Sequence, residues 1–383
     1  MLEKALNGSK KYGLWIAALL VVIFIAVLSY AKQWRLGLGV TGMSRDVSWG
    51  LYISQFTFLV GVAASAVMVA IPYYLHNYKK FGKIVILGEF IAVSAVIMAM
   101  LFIVVDMGQP TRVMNVILHP TPHSMMFWDM CVLFGYLIIN FVIGWTTLGA
   151  ENKGFAPPAW VKPIIYLSIP WAISIHTVTA FLYAGLPGRH LWLTAIMAAR
   201  FLSSAFAAGP ALLILLCLFV RKVGTFGPDK EAIQSLAKIV TYAMITNVFF
   251  YLLEVFTAFY SSIPEAKEPL IYLFAGLDGH NNLVPFMWVA TILAFVSIAL
   301  LVVPKTRRNE KILPFALVSV FLACWIDKGL GLVLGGFVPN PLGHVTEYIA
   351  TGTEIMITLG VYAVGALLIT IFYKIVIAVR KQV

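Results

Sequence analysis

The chain has 383 residues, 61% of them hydrophobic and 11% charged, with a mean hydropathy of +0.93. No ordinary soluble fold of that length has this composition, so the chain reads as an all-α integral membrane protein. The formal net charge of +11 lies mostly in the loops between apolar segments, so it is a topology signal rather than a nucleic-acid signal.

A spanning helix needs about 20 apolar residues. In chain order the sequence predicts ten spans, near 13–31, 52–75, 84–105, 126–147, 163–185, 192–220, 238–261, 284–303, 312–334 and 355–378. The stretch Gly13 to Ala31 is long enough to span and no small-residue cleavage site follows it, so it is expected to stay as a helix. Lys and Arg in the flanks set orientation. Nineteen, including Lys4 and Lys381, fall on the side of the N-terminus, and six fall on the other: Lys32, Arg35, Arg45, Arg112, Arg189 and Lys267. An even number of spans with both termini in the cytoplasm follows, in a cytoplasmic membrane. The outer loops are mostly long and rich in Gly, Pro, Asn and His, whereas the inner loops are short and basic. Partner recognition is therefore expected on the outer face.

An internal repeat is legible. Residues 58–65 (FLVGVAAS) resemble residues 201–208 (FLSSAFAA), and His176 precedes Gly185 and Pro187 much as Asp327 precedes Gly336 and Pro339. This predicts a single membrane domain over 1–383, with a first four-helix bundle over 52–185 and a second over 192–334. Flanking helices at 13–31 and 355–378 complete it.

Charge in hydrocarbon is expensive, roughly 3 kcal/mol per group on insertion scales. Most ionisable residues within the spans lie toward the outer face: Asp106, Asp129, His176, Arg200, Glu254, Asp327 and Lys328, with Gln55 and Glu354 near the outer ends of spans 2 and 10. The inner half holds Glu89 and His76. A one-sided cluster marks a polar pocket opening outward. Each residue also has a structural alternative. Arg200, Glu254, Asp327 and Lys328 can form a polar network that only holds the second bundle, Glu89 can snorkel, and Asp106 can cap a helix. Asp129 and His176 on adjacent helices suit quinol chemistry, which releases two protons with two electrons. One mid-membrane histidine cannot hold a bis-histidine haem, and Cys131, Cys217 and Cys324 are dispersed over separate spans, so no metal site is expected in this chain.

Asp106-Met107-Gly108-Gln109-Pro110-Thr111-Arg112 resembles the Asp-Leu-Gly-Arg-Pro-x-Arg motif of NrfD-type, polysulfide-reductase-like membrane subunits, with Gln109 departing from the usual Arg. Pro120, Ser124, Met125 and Met126-Phe127-Trp128-Asp129 continue that pattern, and Trp49-Gly50-Leu51-Tyr52 is similar to the start of the family's first bundle. Within the family the chain resembles the menaquinone-reactive subunits of sulfite-reductase-associated redox complexes of sulfate reducers. The resemblance implies a menaquinone site near the outer face, no haem or iron–sulfur cluster in this chain, and a ferredoxin-like iron–sulfur subunit docked outside. It also implies a multihaem cytochrome c, and a haem b membrane subunit with a cytoplasmic iron–sulfur protein. On this reading Asp129 and Asp106 accept protons and His176 binds a quinone oxygen or relays a proton. Trp49, Tyr52, Gln55 and Trp128 position the ring, and Arg112 tunes the acids. A secondary transporter and a non-catalytic anchor are the rival readings.

Overall fold

The computed structural model describes residues 3–6, 8–223 and 227–380; Lys381 and the side chain of Lys4, counted above, lie outside what is described. Ten helices among the described residues are long and apolar enough to cross a membrane. They are α1 (Lys10–Leu36), α2 (Leu51–Leu75), α3 (Lys79–Asp106), α4 (Met125–Asn152), α5 (Val161–Ala184), α6 (Met197–Lys222), α7 (Lys230–Ser261), α8 (Val284–Val302), α9 (Leu313–Gly335) and α10 (Gly352–Arg380). The face with the sparser Lys and Arg, opposite the termini, is termed outer.

Several helices run past the predicted spans, because polar residues that leave the hydrocarbon need not end a helix: α7 starts at Lys230 rather than near 238. In contrast, α6 starts at Met197, later than expected. Residues 189–194 instead form turns, with the Trp192 and Leu193 N–H groups both donating to the Arg189 carbonyl. Those turns bury Trp192, whose Nε1 donates to the Leu332 carbonyl at 2.7 Å. A Cβ on Gly336 would lie 2.0 Å from that Nε1, so only glycine fits there. The outer loop 262–283 also contains a short helix, Pro264–Phe274, with proline in its first turn where no N–H is needed.

Helices α2, α3, α4 and α5 pack in a ring, as do α6, α7, α8 and α9. α1 and α10 pair with each other, and α10 lies against α3. The two rings meet through α6, which packs on both α2 and α5, and through the π-turn of α9, which packs on α2. At this seam the two small-residue runs face each other. A Cβ on Gly61 would sit 3.6 Å from the Ala205 Cα, and one on Gly209 would sit 2.9 Å from the Val62 carbonyl oxygen. Close backbone approach supplies the dispersion contact that lipid cannot replace.

Loops on each face tie to one another. On the inner face Lys83 pairs with Asp229, Arg221 and Lys230 with Glu310, and Arg380 with Glu151. The two bases hold the Glu310 carboxyl below its ordinary range. On the outer face the Gly42 and Thr351 N–H groups each donate to Glu354 at 2.8 Å. Arg189 donates to the Phe337 carbonyl at 3.1 Å, and Asn340 donates to Asp46 at 3.2 Å.

Two spans are irregular. α2 tightens over Ala63–Ser65 and widens into a π-turn over Ile71–Leu75. α9 carries a π-turn over Trp325–Gly331, which holds both Asp327 and Lys328. Such turns commonly mark functional positions within helices.

Candidate functional site

In the first bundle, Asp129 lies one turn into α4, 4% exposed, and accepts a 2.5 Å hydrogen bond from the Thr179 hydroxyl on α5. His176 sits one turn deeper on α5. It is fully buried beside Phe206, and both ring nitrogens are without a partner among the described residues. Tyr183, one turn outward from Thr179, is joined to the Thr57 hydroxyl of α2 at 2.5 Å. The polar positions 176, 179 and 183 thus make one stripe, because residues three and four apart share a helix face.

A second polar cluster lies where the outer turns of α1, α2 and α3 meet α9 and α10. The Tyr52 hydroxyl donates to Gln33 Oε1 at 2.7 Å, and Gln33 Nε2 donates to the Val105 carbonyl at 2.6 Å. Gln55 Oε1 accepts from Trp325 Nε1 at 2.7 Å and from the Tyr362 hydroxyl at 2.6 Å, while its own Nε2 is buried without a partner among the described residues. Asp106 Oδ1 is likewise buried and unpartnered. Glu354 is fully buried in the first turn of α10, where the helix dipole favours an anion, and it also accepts from the Tyr348 hydroxyl. Burial, that bond and the Glu354 charge push the Tyr348 phenol far above its ordinary range.

In the second bundle, Arg200 pairs with Glu254 and reaches Asp327 at 3.4 Å. Arg200 is one turn into α6 and its guanidinium lies 5.0 Å from the Tyr251 ring centre. A cavity of about 460 Å³ adjoins this network, with Asp327 in its wall.

The profile of the family described as "Polysulphide reductase, NrfD" matches residues 39–327, more than half of the sequence. The chain belongs to the NrfD family. A relative in Halobacterium salinarum, provisionally named as a membrane component of dimethyl sulfoxide reductase, is 26% identical over 93% of this chain and 89% of its own length. An "Hdr-like menaquinol oxidoreductase integral membrane subunit" of Archaeoglobus fulgidus is 23% identical over 78% of this chain and 74% of its own. A "Menaquinone reductase, integral membrane subunit" of Nitratidesulfovibrio vulgaris is 21% identical over 95% of this chain and 91% of its own.

The residues singled out in the NrfD sequence are distributed unevenly. Asp129 is held by Thr179 within the first bundle, His176 packs against Phe206 of α6 where the two bundles meet, and Asp106, Tyr52 and Gln55 fall in the outer cluster. Trp128 departs from its expected position: it is 45% exposed and its Nε1 donates to the Pro122 carbonyl at 2.8 Å. The reason is helical phase, since Trp128 is adjacent to buried Asp129 and points about 100° away from it. Arg112 is exposed in the loop after α3 rather than turned toward the acids. Trp49 belongs to an aromatic cluster that wedges the bundles together, stacked on Trp192 at 5.6 Å and edge-on to Tyr183 and Phe337. Lys328 stands apart from the ion pairs of Arg200, because the next residue along a helix turns to another face. Its ammonium caps the Phe201 carbonyl at 3.5 Å and lies 4.1 Å from the Phe201 ring centre. Glu89 is 1% exposed and does not snorkel.

Sequence reading missed Gln33, Thr179, Tyr183, Trp325 and Tyr362. Thr179 was within reach, since it lies three residues after His176. Gln33 lies past the predicted end of the first span, between Lys32 and Arg35, where a polar residue reads as ordinary flank. The others needed the tertiary contacts.

Proposed function

We propose that this NrfD protein exchanges electrons between menaquinol or menaquinone and an iron–sulfur partner on the outer face, within a respiratory redox complex of anaerobic sulfur or sulfate metabolism. The observation that carries the reading is the set of orphaned polar atoms in the outer half of the first bundle and at its rim. Asp106 Oδ1, Gln55 Nε2 and both His176 nitrogens are buried and unpaired among the described residues. A buried polar group without a partner costs roughly 1–3 kcal/mol, so each is a place where a ligand oxygen restores a bond.

Between them the two clusters offer the donors and acceptors that a quinone ring needs. Gln55 Nε2 donates to a carbonyl oxygen, Asp106 accepts from a quinol hydroxyl, and His176 does either according to its tautomer. Quinol oxidation releases two protons with the two electrons, and Asp129 and Asp106 are the carboxylates that take them up. Thr179 holds Asp129 in place through its short hydrogen bond. Tyr52 and Gln33 brace the rim between α1, α2 and α3.

The menaquinol named in one relative's description and the menaquinone named in another's support the substrate. Exposed Met114, Ile117 and Leu118 in the loop after Asp106 support a partner docked there, since an apolar patch beside a redox pocket suits a short electron-transfer path. A multihaem cytochrome c, a haem b membrane protein and a cytoplasmic iron–sulfur protein belong to the same reading of the complex. The test is quinol-analogue oxidation by the assembled complex carrying Asp129→Asn, with its polypeptide composition checked on a gel. Loss of turnover in an intact complex supports the assignment, and near-normal turnover refutes it.

A further inference from the structure

The cavity in the second bundle is enclosed by α7, α8, α9 and the short outer helix Pro264–Phe274. Its wall is mostly apolar. Leu252, Phe259, Trp288 and Phe295 line it and are also exposed on the outside of the bundle. The opening therefore faces the bilayer between α7 and α8, and a molecule that reaches it comes from the lipid phase. Polar groups line one part of the wall. Asp327 and Asn247 lie there, and the Tyr251 hydroxyl is buried without a partner among the described residues. The π-turn of α9 carries Asp327, and Arg200 neutralises it from the far side at 3.4 Å.

We propose that this cavity is a second site for an isoprenoid quinone, separate from the first-bundle site and independent of whether that site turns over quinol. The volume of about 460 Å³ falls within the roughly 300–1,000 Å³ of small-molecule sites and accommodates an aromatic head with the start of its tail. Phe274, Trp288 and Met287 offer flat and polarizable surface to a ring. The unpaired Tyr251 hydroxyl donates to a quinone carbonyl, and Asp327 accepts from a quinol hydroxyl, so both redox forms find a partner. A phospholipid acyl chain fills the apolar wall but leaves Tyr251 unpaired, which disfavours it as occupant. A water-soluble substrate has no route through the lipid-facing opening.

Photoaffinity labelling of the full chain in nanodiscs tests this, using an azido-naphthoquinone with a short isoprenoid tail and peptide mapping by mass spectrometry. The expected label lies on residues 244–259 or 287–295. Excess unlabelled naphthoquinone removes it, and added phospholipid does not. Ala294→Phe fills the cavity and should abolish the label. Tyr251→Phe keeps the packing and should weaken capture roughly tenfold, the effect of one lost hydrogen bond. Asp129→Asn should leave the second-bundle label unchanged, which separates this site from the first. Label confined to α2–α5, equal competition by phospholipid, or undiminished label in both Ala294→Phe and Tyr251→Phe would overturn the proposal.

Discussion

Gly209 and Ser65 meet backbone to backbone at the seam between the bundles: a Cβ on Gly209 would lie 2.8 Å from the Ser65 nitrogen. Nothing flexible can give way there, because the opposing atoms are main chain. Gly209→Ala should therefore cost about 1–3 kcal/mol by overpacking, and Gly209→Leu should prevent accumulation of folded protein. Thermal unfolding in detergent measures the first, and membrane content by immunoblot the second. A Gly209→Leu protein with unchanged melting temperature would show that the bundles are not held at this contact.

Asp129 and Thr179 form a second pair with a consequence for turnover. Asn at 129 keeps the shape but cannot take up a proton, so Asp129→Asn should abolish quinol oxidation while assembly persists. Thr179→Val removes the 2.5 Å bond. Hydrogen bonds to charged groups contribute about 1.5–3 kcal/mol, so turnover should fall by roughly tenfold to a hundredfold. Asp327→Asn, in the other bundle, should reduce it much less. Steady-state rates of the three variant complexes decide this, and a larger loss in Asp327→Asn would move the reaction to the second bundle.

Arg200 holds Glu254 and Asp327 in the second bundle. Removing one partner of a buried ion pair strands the other charges and typically costs about 3–5 kcal/mol. Arg200→Met should destabilise by that amount, and adding Glu254→Gln with Asp327→Asn should restore much of it. Denaturant or thermal melts of the single and triple variants give the comparison. If the triple variant is no more stable than Arg200→Met, the arginine acts through packing rather than charge.

The 19-to-6 division of Lys and Arg between the faces predicts that the termini are cytoplasmic. Single cysteines at Thr111 and Asn281 should react with an impermeant reagent added outside, whereas one at Arg308 should not. The reverse pattern would invert the topology.

The purified chain, stripped of partners, is expected to show no haem absorbance, since its one mid-membrane histidine cannot form a bis-histidine ligand set. Optical spectra and iron analysis check this, and stoichiometric iron surviving partner removal would contradict it.

Ten runs of apolar residues, the basic asymmetry and the motif around Asp106 and Asp129 were legible in the sequence by itself, because bilayer thickness and the cost of buried charge act on each segment separately. The residue types of the proposed redox site were legible for the same reason: an acid or a histidine in a span stands out against its neighbours. Which of them meet was decided only by tertiary structure. Trp128 and Asp129, or Asp327 and Lys328, are adjacent in sequence yet point to different surroundings, and that is a matter of helical phase and local π-turns. Gln55, Trp325 and Tyr362 come from three distant helices, and their convergence depends on how the bundles pack. The cavity beside Asp327 is likewise a space left between α7 and α8, and a void between helices has no residue of its own to announce it in the sequence.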